Sequence, residues 1–144
     1  MGETVTVIDV ARTGVVTAPS DQTAGNLATV MREENVGSVI IEDDDEPVGI
    51  VTDRDLVLQV LEPREEPTAV TAEDIMTETL VTVQSDDGVF EATATMFENN
   101  VRRLPVVDEN GSLAGIVTLD DLLVLLSTEM EHLTGVVEAE SPPY

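Results

Sequence analysis

The chain contains no cysteine, no lysine and no tryptophan, and its aromatic side chains are limited to Phe90, Phe97 and Tyr144. Without cysteine there is no disulfide, thiolate metal ligand or sulfur nucleophile, and the redox compartment is not written in the sequence. Without lysine there is no Gly-x-x-x-x-Gly-Lys phosphate loop. The single histidine, His132, lies beside Glu129 and Glu131. One strong nitrogen ligand does not make a metal site, and no serine pairs with it near a helix start, so neither a bound metal nor catalysis is expected. Long apolar runs are also missing: none approaches the ~18 residues of a membrane span, and Met1–Val5 lacks a basic stretch leading into an apolar one. These absences point to a soluble, cytoplasmic protein.

What is abundant is acid. Thirty Asp and Glu stand against six arginines, a net charge of −24. Such a surface repels polyanions, so nucleic acid and anionic membranes are not expected partners. Disorder does not follow, because 42% of the residues are hydrophobic and recur in short periodic blocks. A folded chain this acidic repels itself, and the repulsion is tolerable where the Debye length shrinks to about 3 Å, near 1 M salt. The composition therefore suggests a halophilic interior, with a core of branched aliphatics.

The chain matches itself when one half is laid on the other. Val48-Gly49-Ile50-Val51-Thr52-Asp53-Arg54-Asp55-Leu56 answers to Ala114-Gly115-Ile116-Val117-Thr118-Leu119-Asp120-Asp121-Leu122. Upstream, Asp9-Val10 pairs with Asp74-Ile75, Val15-Val16-Thr17 with Leu80-Val81-Thr82, and Met31 with Met96. Each copy reads as β-α-β-β-α. Gly14–Thr17 and Thr79–Val83 are β-rich. Ala24, Leu27, Ala28 and Met31, like Val89, Ala92 and Met96, mark one face of a helix. Val39–Ile41 with Val48–Val51, and Leu104–Val107 with Leu113–Val117, form hairpins, the second turning at Asn110-Gly111. Leu56–Leu61 and Leu122–Leu126 close the copies as buried helices. The implied fold is α/β (α+β). An N-terminal segment (1–7) precedes copy one (8–62), a linker (63–72), copy two (73–127) and a frayed helix and tail (128–144).

A doubled unit with Gly-Ile-Val-Thr-x-x-Asp at each hairpin exit, and with Arg102-Arg103-Leu104-Pro105-Val106-Val107-Asp108 entering the second hairpin, resembles the cystathionine β-synthase (CBS) domain pair. The resemblance covers about residues 8–127. It implies two units packed with pseudo-two-fold symmetry and a disc-like homodimer. It also implies a regulatory ligand, AMP, ADP, ATP or S-adenosylmethionine, in the cleft between the units, with no cofactor required and an effector protein of unknown identity.

Thr-x-x-Asp ahead of a helix is also a capping box, in which the Thr hydroxyl accepts from the third N–H and the carboxylate reaches back. On spacing alone, capping and ligand binding both stand. The resemblance implies that Asp55 and Asp121 accept ribose hydroxyls, whose diol matches the two carboxylate oxygens, while Thr52 and Thr118 steady ribose or phosphate. Val15, Val16, Thr17, Val39, Val81, Thr82 and Val106 are the candidates for an adenine slot, although most are core residues first. Arg54, Arg102 and Arg103 are the phosphate candidates, since a guanidinium fork suits phosphate; Arg12 is read as a surface partner of carboxylates. Copy one has Arg54 where copy two has Asp120, and Gly37-Ser38 where copy two has Arg102-Arg103. Two unequal sites, or one, are expected, with Asp120 weakening the site at Asp121. A ligand-free scaffold that acts on a partner protein is the competing reading.

Overall fold

The computed structural model describes residues 5–78 and 81–140. Copy one begins with a single helical turn, α1 (Val7–Val10), then β1 (Thr17–Ala18), α2 (Ala24–Glu34) and the hairpin β2 (Ser38–Asp43) and β3 (Glu46–Thr52). It closes with α3 (Asp53–Leu56), which widens into a π-turn over Val57–Leu61. Copy two repeats this as α4 (Ala72–Ile75), β4 (Thr77–Glu78), β5 (Val83–Gln84), α5 (Val89–Asn99), β6 (Arg103–Val107), β7 (Leu113–Thr118) and α6 (Leu119–Glu140).

The two copies stop their first helices in the same way. Asn35 and Asn100 take left-handed conformations, φ 55° and 54°, and the following N–H groups of Val36 and Val101 return to the carbonyls of Met31 and Met96 at 3.0 Å. Asparagine tolerates that conformation better than most L residues, and the turn satisfies carbonyls that the helix end leaves open. In copy one the hairpin turns at Asp44-Asp45, both with positive φ, and in copy two Gly111 supplies φ 82°.

The leading segments are exchanged. β1, β2 and β3 form a sheet whose last edge is β4, from the other copy: β3 pairs antiparallel with it, Ile50 opposite Thr77. In the β5-β6-β7 sheet the equivalent edge is Arg12, whose N–H donates to the Ile116 carbonyl at 2.9 Å while the Ile116 N–H donates back at 3.0 Å. Burial follows the same exchange. Val7 of α1 is buried with Val89, Leu104 and Val117 of copy two, and Ala72 and Ile75 of α4 are buried with Leu27, Val39 and Val51 of copy one. Capping boxes anchor both segments: the Thr6 and Thr71 N–H groups donate to the Asp9 and Asp74 carboxylates at 2.9 Å. The backbone donor at Thr6 is the main reason the Asp9 carboxyl is held below its ordinary range.

Several expected elements shift. Gly14–Val16 precedes the strand instead of forming it; of the run Thr79–Val83, Thr79 and Leu80 lie outside the described residues, and among the rest only Val83 is in a strand. Short parallel strands need only the pairs Thr17–Ile40 and Val83–Val106 to fix their register. Residues 128–140, read as a frayed helix and tail, continue α6 through Glu140, because Leu, Met, Ala and Glu are strong helix formers. The covalent boundary at 63–72 is not the spatial one, since α4 packs in copy one.

Candidate functional site

At each hairpin exit the strand runs straight into a helix, and Thr-x-x-Asp closes the corner. The Thr52 hydroxyl accepts from the Asp55 N–H at 3.2 Å, and the Asp55 carboxylate accepts from the Thr52 N–H at 2.9 Å. In copy two the Thr118 hydroxyl accepts from the Asp121 N–H at 3.1 Å and the carboxylate from the Thr118 N–H at 3.2 Å. Both are capping boxes, as the spacing allowed. Capping uses one carboxylate oxygen, Oδ2, and leaves the hydroxyl proton of each Thr free to donate elsewhere. The Asp53 N–H bonds the Gly37 carbonyl at 3.0 Å, and the Leu119 N–H bonds the Arg102 carbonyl at 2.8 Å, so the start of the neighbouring strand is pinned beside each corner.

A cleft of about 330 Å³ opens between the copies. Copy one contributes Arg12, Gly14, Val15, Val16, Ser38 and Ile40, and copy two contributes Arg102, Arg103, Ile116, Thr118, Leu119 and Asp120. Its volume lies at the low end of the ~300–1,000 Å³ typical of small-molecule sites. Three of the six arginines meet there. Arg12 reaches past the edge of β7 to Asp121, its Nη2 3.3 Å from Oδ1, so the second oxygen of that carboxylate is also engaged. The Asp121 side chain is 15% exposed and Arg12 71%, leaving the guanidinium mostly in water. Arg102 stands 3.9 Å from Asp120, with both side chains exposed, a weak pair.

Of the residues singled out from sequence, Thr118, Arg102, Arg103, Val15 and Val16 line this cleft, with Asp121 bound to its Arg12. Thr52, Asp55 and Arg54 form the corner of copy one and do not line it. Thr17 is exposed on β1, while Val81 and Thr82 are half-buried on the copy-two side. Val39 and Val106 are fully buried, in the cores of copies one and two, so neither faces an open slot. Sequence reading set Arg12 aside because only the exchange of leading segments carries it across to copy two. Gly37 and Ser38 were noted only as the counterparts of Arg102 and Arg103. His132 lies 3.9 Å from Glu129 on α6, and no cluster of three or more metal-ligating side chains occurs among the described residues. No helix of the described residues is long and apolar enough to cross a membrane.

A duplicated α/β unit with a Thr-x-x-Asp corner in each copy and a cleft between the copies is the architecture of a CBS domain pair. The match to the CBS domain covers residues 7–62 and 72–128, and the chain belongs to that family. Among its relatives, an uncharacterized protein of Methanopyrus kandleri is 47% identical over 120 residues, 83% of this chain and 61% of the relative, so the chain spans less than two thirds of that protein. Among solved structures, the CBS domain pair of protein MJ0100 in complex with 5′-methylthioadenosine and S-adenosyl-L-methionine has a TM-score of 0.77 at 26% identity, over 88% of this chain and 99% of its own. The CBS domain protein PAE2072 of Pyrobaculum aerophilum, complexed with AMP, has a TM-score of 0.74 at 26% identity, over 86% of this chain and 99% of its own.

Proposed function

We propose that this chain is a non-catalytic regulatory module that binds an adenosine-containing ligand with an anionic group in the cleft between its two copies. The observation that carries this reading is the meeting of Arg12, Arg102 and Arg103 in one cleft of a chain with net charge −24. So few cations, drawn together from both copies, suit an anion that could not otherwise approach. The structures of similar pairs with AMP, or with S-adenosyl-L-methionine and methylthioadenosine, support the adenosine part.

In this reading Val15, Val16, Ile40 and Ile116 wall the base, Thr118 donates its hydroxyl proton, and Asp121 takes the ribose diol. Arg12 then leaves Asp121 for the ligand's negative charge, with Arg102 and Arg103 beside it. Asp120 opposes that charge and keeps the site weaker than its arginine count suggests. The corner of Thr52, Arg54 and Asp55, with Val81 and Thr82, would form a second and unequal site. Binding favours one relative setting of the copies, which a partner protein reads. The acidic surface suits a salt-rich interior.

Thermal melts with AMP, ATP, S-adenosylmethionine and adenosine at several KCl concentrations test this, since a ligand of the folded state raises the midpoint. A rise with an adenine nucleotide, abolished in Asp121→Ala, is expected; no rise with any of the four would sink the reading. One observation favours the scaffold alternative: both Asp121 oxygens are already satisfied without a ligand. Isothermal titration distinguishes them, because a scaffold gives no heat with nucleotide.

A further inference from the structure

Arg12 carries a charge that its repeat partner lacks. Three residues after the capping-box aspartate, copy one has Arg12 and copy two has Thr77. Each crosses to the second hairpin strand of the other copy, Arg12 opposite Ile116 and Thr77 opposite Ile50. The corners beside them differ accordingly. In both, the cap occupies Oδ2 of the aspartate. Oδ1 of Asp121 accepts from Arg12 Nη2 at 3.3 Å, whereas no cation pairs with Asp55 among the described residues. Oδ1 is the oxygen that the cap leaves for a ribose hydroxyl, so Arg12 stands on the acceptor a ligand needs. The Arg12 N–H and carbonyl are both bonded to Ile116, at 2.9 and 3.0 Å, so only the side chain can swing. Its guanidinium is 71% exposed, and its contact is longer than the ~2.7–2.9 Å of a strong charge-assisted bond. Asp121, 15% exposed, loses more if left without a donor.

We propose that Arg12 sets the specificity of this cleft: by standing on Oδ1 of Asp121 it turns away neutral ribonucleosides, and it yields to ribonucleotides. The proposal rests on the reading of the cleft as a site for an adenosine-containing ligand. A neutral nucleoside offers hydroxyls to Asp121 but nothing to the displaced guanidinium, so it exchanges an ion pair for a hydroxyl bond. Inorganic phosphate offers Arg12 an acceptor but leaves Asp121 without a donor. A ribonucleotide satisfies both partners. Its phosphate takes the guanidinium through two parallel bonds, and its diol takes the oxygen that is vacated. The cleft thereby selects ligands that carry the diol and the negative charge together. The corner of copy one, with Thr77 in the equivalent place, has no such filter.

Isothermal titration of the full chain with AMP and with adenosine tests this through opposite signs. Arg12→Ala should weaken AMP about tenfold, the loss of a charged hydrogen bond partly offset by the freed aspartate. It should tighten adenosine about two- to fivefold, the worth of a mostly exposed ion pair. Structural damage would lower both. The gain for adenosine should vanish when Asp121→Ala is added, which assigns it to this corner and not to that of Asp55. Arg32→Ala removes the same charge from the last turn of α2, outside the cleft, and should move neither ligand. Salt gives a second measurement: raising KCl screens the exposed pair, so adenosine should gain affinity in the wild-type chain and not in Arg12→Ala. If AMP binds the wild-type chain but Arg12→Ala leaves adenosine unchanged or weaker, the proposal is overturned and the cleft reading stands. An AMP affinity that Arg12→Ala does not move overturns it equally. A wild-type chain that binds neither compound sinks the cleft reading and the proposal together.

Discussion

Copy one starts its middle strand with Gly37-Ser38, and copy two starts the equivalent strand with Arg102-Arg103. The backbones around these pairs are alike: Ser38 opposes Thr52 and Arg103 opposes Thr118 in matching hairpins. The cores are the same in kind and trade only sizes. Copy one buries Leu27 on its helix and Val39 on its strand, where copy two buries Ala92 and Leu104, the larger side chain having moved from helix to strand. Duplication thus keeps the packing plan and lets the cations diverge. Charge, not shape, separates the copies, and charge is what an anionic ligand reads.

The largest expected effect probes the cores. Leu27→Ala should cost about 2–5 kcal/mol, and Leu104→Ala should cost the same, since each leaves a cavity in a packed cluster. Because each core holds a segment of the other copy, both variants should lower one shared unfolding transition. Urea denaturation followed by circular dichroism would show two separate transitions if the copies were independent.

Next in size is the cleft. Arg102→Ala with Arg103→Ala should weaken AMP binding about 10–100-fold, the loss of hydrogen bonds to a charged group. Arg54→Ala should leave that site unaffected. Equal losses from both, or two equal sites by calorimetry, would make the copies equivalent and break the comparison.

The glycine at each hairpin marks where the exchanged segment crosses. A Cβ on Gly115 would lie 2.8 Å from the Arg12 carbonyl oxygen, a backbone atom that accepts from the Ile116 N–H. On Gly49 it would lie 2.5 Å from the Met76 sulfur, which can swing aside, and 3.0 Å from the Thr77 carbonyl oxygen. Overpacking costs about 1–3 kcal/mol, and Gly115→Ala should sit at the upper end and Gly49→Ala at the lower. Thermal melts compare them, and the reverse order would mean that the copy-two crossing is the looser one.

Most of this fold was legible because periodicity is local. Both hairpins, the helices α2 and α5 and the Asn110-Gly111 turn follow from spacing within about a dozen residues, and the repeat from matches 65 to 66 residues apart. The exchange of leading segments was not, since nothing in Val7 or Ile75 says which of two similar cores will bury it. That ambiguity hid Arg12, whose role depends on crossing to β7. Val39 and Val106 misled as adenine candidates because β-branched strand residues suit a core and a base slot equally. The π-turn at Val57–Leu61 escaped because a run that is apolar except for Gln59 carries little register. Residues 128–140 were read as a frayed helix and tail for want of a repeat partner, although Met130 and Leu133 already continued a helical spacing.

The smallest effect isolates what is duplicated from what is not. Thr52→Ala and Thr118→Ala each remove a hydroxyl that accepts from the third helical N–H, so each should cost about 0.5–2 kcal/mol, the usual value of such a cap. In stability the two variants should be indistinguishable by urea denaturation, because the corners are built alike. In affinity they should part, because Thr118 lines the cleft that holds three arginines and Thr52 does not. If AMP binding fell in Thr52→Ala and held in Thr118→Ala, the corner of copy one would carry the ligand, the reverse of what the arginines indicate.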